Sequence, residues 1–260
     1  MKKALLLLLA PVVLASCTTD IVERTVIDEL RILAVQSEPA EIQPGESAFV
    51  HALVVDPGQF RPLSHVWSVC NPDPVVGLES CEDPGRLVVV STNDSVYPLA
   101  IDAEFLAGLT PEQQEEGRDL FVVLDVSAEG PGTERATAFK RIRVSTSSVP
   151  NTNPQLDAFS VNGVSDPESY VVAGAEVEVR ARPTPESREL YDPGDGEIME
   201  EMRYSWWTTG GELEKSVSFG GQAVGGGTTK WKAESPATLW VVLRDPRGGA
   251  TWAEHRVIEP

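Results

Sequence analysis

Histidine, cysteine and positive charge are scarce in this chain, and each scarcity closes off a class of function. Three histidines and three cysteines among 260 residues leave little material for a metal centre or a histidine-based catalytic set. His51, His65 and His255 fall in three separate predicted strands, with His65 on the face of Trp67. The sequence has no Gly-x-Ser-x-Gly elbow, no His-Glu-x-x-His and no phosphate-cradling Gly-x-x-x-x-Gly-Lys. Gly220-Gly221 and Gly225-Gly226-Gly227 lack the lysine and the helix of a nucleotide loop and read as a hairpin loop. Lys and Arg number 21 against 40 Asp and Glu, a formal charge of -19. Such a surface repels nucleic acid and anionic headgroups. No apolar run reaches the roughly 20 residues of a membrane span. These absences point to a binding or structural role and away from an enzyme.

What is present begins at the N-terminus. Met1-Lys2-Lys3 is a positive start, Ala4 to Leu14 is almost wholly apolar, and small residues Ala15 and Ser16 precede Cys17. That is the layout of a signal peptide. Leu14-Ala15-Ser16-Cys17 resembles the lipobox of bacterial lipoproteins. The resemblance implies a diacylglycerol on Cys17, cleavage before it and a leader over 1–16. The plainer reading is a secretory signal with a chance cysteine. Buried acyl methylenes contribute about 0.8 kcal/mol each, and two or more chains hold durably. Losing Lys2 and Lys3 takes the formal charge from -19 to -21, so the lipid and not the protein face would hold the membrane. Thr18 follows Cys17, which resembles an outer-membrane destination, facing either the periplasm or the exterior.

The exported part divides by composition. A polar tether is expected over 17–28 and a linker over 147–154, leaving domains at 29–146 and 155–260. Cys70 and Cys81 would meet an oxidising compartment and are expected to pair. Closing that short loop would contribute about 3 kcal/mol in the chain-entropy model. Half a zinc site is the other reading.

The two domains repeat each other. Ile42, Gly45, Ala48, Val50 and Ala52 have the same offsets as Val171, Gly174, Val177, Val179 and Ala181. Trp67 in one tryptophan strand matches Trp206 in the other, and Leu120 to Leu124 matches Leu239 to Leu243. Last strands follow at Arg135 to Val144 and Ala250 to Ile258. Matches in one order argue for duplication. Alternation of period two, with 21 glycines and 20 prolines, predicts all-β architecture: two tandem antiparallel sandwiches. One short helix is expected in the first, with Thr110 as N-cap, Pro111 at the first position and Gln113 closing a capping box. A further turn is expected at Asp102 to Ala107.

These motifs resemble immunoglobulin-like sandwiches. Tyr204-Ser-Trp206, Trp231 and Val242 to Gly249 are similar to the polycystic-kidney-disease and cadherin-like subset. Leu30 to Val35, Glu38 to Gly45, Trp67 to Cys70 and Leu109 to Gln113 resemble lipoproteins of myxobacteria and their relatives. The resemblance implies a fold and no activity. It also lacks the usual inter-sheet disulfide, so a Cys70–Cys81 bond would be local.

Two site candidates remain. Asp192, Asp195 and Glu197, with Glu200 and Glu201 beyond, form an acidic loop that could offer oxygens to calcium, although the spacing is not an EF-hand. A solvated acidic turn is the plainer reading, and no cofactor besides the lipid is expected. Trp207 and Trp240 alternate with core residues and so are expected to point outward as an aromatic binding patch. Packing against the other domain is the competing placement. The expected function is a membrane-anchored envelope module for binding, adhesion or structure, with an envelope protein or a glycan as partner.

Overall fold

The computed structural model describes residues 25–57, 61–72, 81, 87–92, 94–129, 134–165, 168–170, 174–194, 196–220, 227–234 and 236–258. Cys17, Asp195 and most of the expected glycine loop lie outside the described residues.

The first half runs through β1 (Arg31–Glu38), β2 (Glu41–Ile42), β3 (Ser47–Val55), β4 (Leu63–Cys70), β5 (Leu87–Thr92), β6 (Val96–Ala100), helix α1 (Pro111–Glu116), β7 (Arg118–Ala128) and β8 (Arg135–Val144). The second runs through β9 (Leu156–Val161), β10 (Glu168–Tyr170), β11 (Glu176–Pro183), β12 (Leu190–Tyr191), β13 (Ile198–Met199), β14 (Met202–Thr208), β15 (Glu212–Leu213), β16 (Val217–Gly220), β17 (Gly227–Lys232), β18 (Ala237–Arg244) and β19 (Ala250–Ile258).

Each half is a two-sheet, immunoglobulin-like sandwich. In the first, sheet β1-β3-β6 faces sheet β2-β8-β7-β4-β5. In the second, sheet β15-β17-β11-β9 faces sheet β10-β19-β18-β14-β16, with β12-β13 as a separate hairpin. Both use one device. A short strand, β2 or β10, runs parallel to the last strand of its own sandwich, while its other neighbours are antiparallel. The shared device supports the duplication read from the sequence.

The cores follow the alternation. Leu120, Val122, Leu124 and Val126 bury one face of β7, and Trp67 lies fully buried among them with Ile142 and Val144. Val177, Val179 and Ala181 meet Trp206, Trp231, Leu239, Val241 and Leu243 in the second core. Each set stabilises its sandwich by removing apolar area from water, at about 25 cal/mol per Å².

The helix forms where expected. Thr110 caps it, accepting from the Gln113 backbone N–H at 3.3 Å, and the Gln113 side chain accepts from the Thr110 N–H at 3.0 Å. Gly117 ends it with φ at 76°, and a Cβ there would strike the Val144 carbonyl, so only glycine fits. Residues 102–109 form turns, as Asp102 to Ala107 suggested. Cys70 closes β4 and is joined to Cys81 by a local disulfide.

Two expected connectors are docked segments instead. The tether was expected to run to Asp28, yet Val26 forms a parallel bridge with Thr208 of the second sandwich. Ile27 donates its N–H to the Thr208 carbonyl at 2.8 Å, and Thr208 donates back to the Thr25 carbonyl at 2.9 Å. The linker segment is pinned likewise. Asn151 is buried, its N–H on Glu41 at 2.8 Å. Asn153 donates to the Ser37 carbonyl at 2.7 Å and accepts from the Ala250 N–H at 3.0 Å. Polar composition signals a loop, but asparagine also offers the donors and acceptors that pin one.

Candidate functional site

The feature that organises this molecule is the junction between its sandwiches. It begins with a departure from alternation. In β1 the register to β3 shifts between Ile32 and Ala34, a bulge that accommodates one extra residue. Ile32 and Val35 stay with the first core, while Leu33 and Ala34 turn out of the sandwich. Leu53 and Val55 of β3 turn out beside them.

That outward apolar face meets another. Trp207 and Trp240 are paired across β14 and β18, and Val242 is paired with Trp252 across β18 and β19. Ile27 plugs into the same cluster and is 1% exposed. The aromatic patch expected on the surface is therefore a third core. Trp240 is 6% exposed, because β1, β3 and the N-terminal segment cover it. Burial of a tryptophan removes roughly 150–250 Å² from water, and that area stabilises the junction.

Polar contacts ring this core. Arg244 donates to the Leu33 carbonyl at 2.8 Å, at the bulge itself. Gln36 donates to the Ala250 carbonyl at 2.6 Å. Lys140 reaches from β8 to the Gly248 carbonyl in the β18–β19 turn. Asp245 shapes that turn, accepting from the N–H groups of Gly248 at 2.7 Å and Gly249 at 2.9 Å. A Cβ on Gly249 would overlap the Asp245 carboxylate. Burial raises the Asp245 carboxyl above its ordinary range, opposed by these N–H groups and Asn151.

Lys140 is 7% exposed, and burial pulls its ammonium down to about 8, against the attraction of Asp245. Arg244 is likewise pulled down to about 10 by burial. Between pH 8 and 10.5 the unfolded chain holds the Lys140 proton and the folded chain does not, so stability rises with pH across that window. The unfolding free energy of the wild type, relative to Lys140→Met, should gain about 3 kcal/mol from pH 7 to pH 11. Urea unfolding at both pH values measures this, and a pH-independent difference would refute the buried ammonium.

Among the described residues two hollows open at the junction. One of about 270 Å³ lies between β1 and β8, with Ile32, Val35, Ala138, Lys140 and Arg244 in its wall. Another of about 580 Å³ lies between the end of α1, β8 and the loop from Tyr191 to Gly194. Its arginines are engaged: Arg143 with Asp119 at 2.9 Å, and Arg247 with Glu200 at 2.7 Å and also with Glu189. The acidic loop borders this hollow, but its carboxylates part company. Asp192 accepts from the N–H groups of Gly194 at 2.7 Å and Gly196 at 3.0 Å, and these bonds lower its carboxyl. Glu197 is exposed, and Glu200 turns inward to Arg247. Among the described residues no three His, Cys, Asp or Glu side chains gather as a metal site.

His51, His65 and His255 stand on β3, β4 and β19 respectively, as three separate strands required. His65 and His255 are buried, and His255 meets Phe159 edge-on at 6.1 Å. Sequence reasoning missed Lys140 and Arg244. A lysine between Phe139 and Arg141 reads as one of many exposed strand charges, since nothing local marks its burial by a distant turn.

No protein-family model and no curated protein matches the sequence. Among solved structures, the chain is similar to the fibronectin(III)-like modules of CbhA from Clostridium thermocellum, at 14% identity over 88% of this chain and 93% of that one, with a TM-score of 0.28. It is also similar to the Yersinia pseudotuberculosis adhesin InvE, at 11% identity over 86% of this chain and 58% of that one, TM-score 0.26. A third likeness is to the protocadherin GammaB4 extracellular domain, at 17% identity over 88% and 34% of the two chains, TM-score 0.27. Likenesses of this size carry no activity or partner over to the present chain.

Proposed function

We propose that this protein is a lipid-anchored module of the bacterial cell envelope that works as one stiff binding or structural body. The observation behind this reading is the third core. Tryptophans that could have faced a ligand instead lock the two sandwiches together, and Thr25 and Ile27 are locked in with them. A body without a free hinge at its linker suits holding a partner at fixed geometry. The anchor in this reading is the lipid on Cys17, in the outer membrane, with a protein or glycan of the envelope as partner. Among the described residues no helix is long and apolar enough to cross a membrane. The glycan reading based on Trp207 and Trp240 loses its site, because Trp240 is covered and Trp207 is packed beside it.

Cys17→Ser should move the protein from the detergent-soluble membrane fraction to the soluble fraction of cells. Retention of the variant in membranes would defeat the anchor. Crosslinking in intact cells, followed by affinity capture, tests the module: recovery of one reproducible envelope component supports it, and recovery of none argues against it.

A further inference from the structure

We propose that the hollow between β1 and β8 is a binding site for a small organic carboxylate, held by Lys140 and Arg244. The site goes beyond the anchored-module reading and does not depend on it.

Its position comes from the topology. Among the described residues β1 bonds only to β3, and β8 bonds to β2 only at Arg143 and Val144. The rest of β8 faces β1 with no ladder between them, and the hollow of about 270 Å³ lies there. The second sandwich closes it with the β18–β19 turn.

Its chemistry comes from two cations brought in from different sandwiches. Lys140 is buried, and Arg244 is half-buried. Neither forms an ion pair with a described residue, in a chain with 40 acidic side chains. Their bonds go to neutral oxygens: Lys140 to the Gly248 carbonyl, Arg244 to the Leu33 carbonyl and, at 3.4 Å, the Ser205 hydroxyl. An ammonium has three donors and a guanidinium five, so each keeps N–H groups unspent. Asp245 attracts Lys140 from across the turn without pairing with it, its Oδ1 accepting from the Gly248 and Gly249 N–H groups and both oxygens facing the Asn151 amide at 3.4 Å. Two desolvated cations with one unpaired carboxylate nearby are costly, and a second carboxylate between them would offset that cost with charge-assisted hydrogen bonds.

Its selectivity comes from the wall. Ile32, Val35 and Ala138 are apolar, and Phe139, 73% exposed, stands at the mouth. The volume lies just below the roughly 300 Å³ at which ordinary ligand pockets begin, so it fits a carboxylate on a short alkyl chain. A compact, strongly hydrated phosphate would leave that apolar wall unused.

Calorimetry on the full chain at pH 7 tests the site, with sodium butyrate as the titrant. Butyrate should bind, while butyramide, of the same shape without the charge, should give no binding heat. Inorganic phosphate should bind at least about tenfold more weakly. Lys140→Met and Arg244→Met should each weaken butyrate about tenfold or more, the size of one charged hydrogen bond. Near-UV circular dichroism confirms that each variant is folded. The wild type carries its own control should both variants unfold. The groups facing Lys140 are Asp245, Arg244 and Arg141, and Lys140 releases its proton near 8, before Arg244 does near 10. Butyrate affinity should therefore fall steeply between pH 7 and pH 10. Absence of butyrate binding at tens of millimolar, equal binding of butyramide, or affinity unchanged across that pH range would each overturn the proposal.

Discussion

Trp240→Ala is expected to destabilise the chain by about 3–5 kcal/mol and to split one unfolding transition into two. The indole is 6% exposed and sits in the only core that both sandwiches share among the described residues. Truncation removes its transfer free energy and leaves a cavity that can close only if the sandwiches shift together. Neither sheet can follow, because each is held in its own core by Trp67 or Trp206. The ring of polar contacts at Leu33, Gln36 and Gly248 would remain, at about 1–3 kcal/mol each, but over a cavity in place of the indole. Urea unfolding followed by tryptophan emission and by far-UV circular dichroism distinguishes the cases. Coincident transitions with a loss under 1 kcal/mol would mean that the third core does not couple the sandwiches.

Arg247→Met should cost about 3 kcal/mol at pH 7 and recover part of that loss in mild acid. Arg247 bonds Glu200 at 2.7 Å, bonds Glu189, and stacks over Tyr191 with its guanidinium 5.5 Å from the ring centre. Glu200 is 1% exposed, and burial already raises its carboxyl above the ordinary range while Arg247 opposes the rise. Removing the guanidinium leaves a buried carboxylate whose remaining bond is the Glu189 N–H at 3.2 Å. The sign follows from the direction of the shift. A carboxyl raised in the folded state prefers to keep its proton there, so falling pH favours folding once the arginine is gone. The gap between variant and wild type should narrow from pH 7 to pH 5 in thermal melts. A gap that widens with acid would reverse this account of Glu200.

The sandwich strands were legible because they alternate. Val177, Val179 and Ala181 face in with Glu176, Glu178 and Arg180 facing out, and the structure places them so. The junction was only half legible. Ile32 to Val35, Leu53 to Val55 and Leu239 to Leu243 are unbroken apolar runs, and a strand apolar on both faces is covered on both. That signal pointed to a second layer over Trp240, not to open water. Which layer it was could not be read locally, since the cover comes from residues two hundred positions away. The short parallel strands β2 and β10 left no pattern at all. Two or three residues are too few for a period, and their pairing is set by the neighbouring last strand. Lys140 and Arg244 belong to the same class. Their chemistry is fixed by what the other sandwich lays over them.

The docked residues from Thr25 to Ile27 also determine how force would enter the molecule. With Cys17 lipidated as proposed, seven residues lie between it and Thr25, eight Cα steps and so a leash of at most about 28 Å. Tension on that leash reaches Thr208 and the Ile27 plug before it reaches β1. The second sandwich, last in the sequence, would thus take the first share of any pull from the membrane. The N-terminal bridge would act as a mechanical fuse, releasing a few ångströms of slack before the first sandwich is loaded.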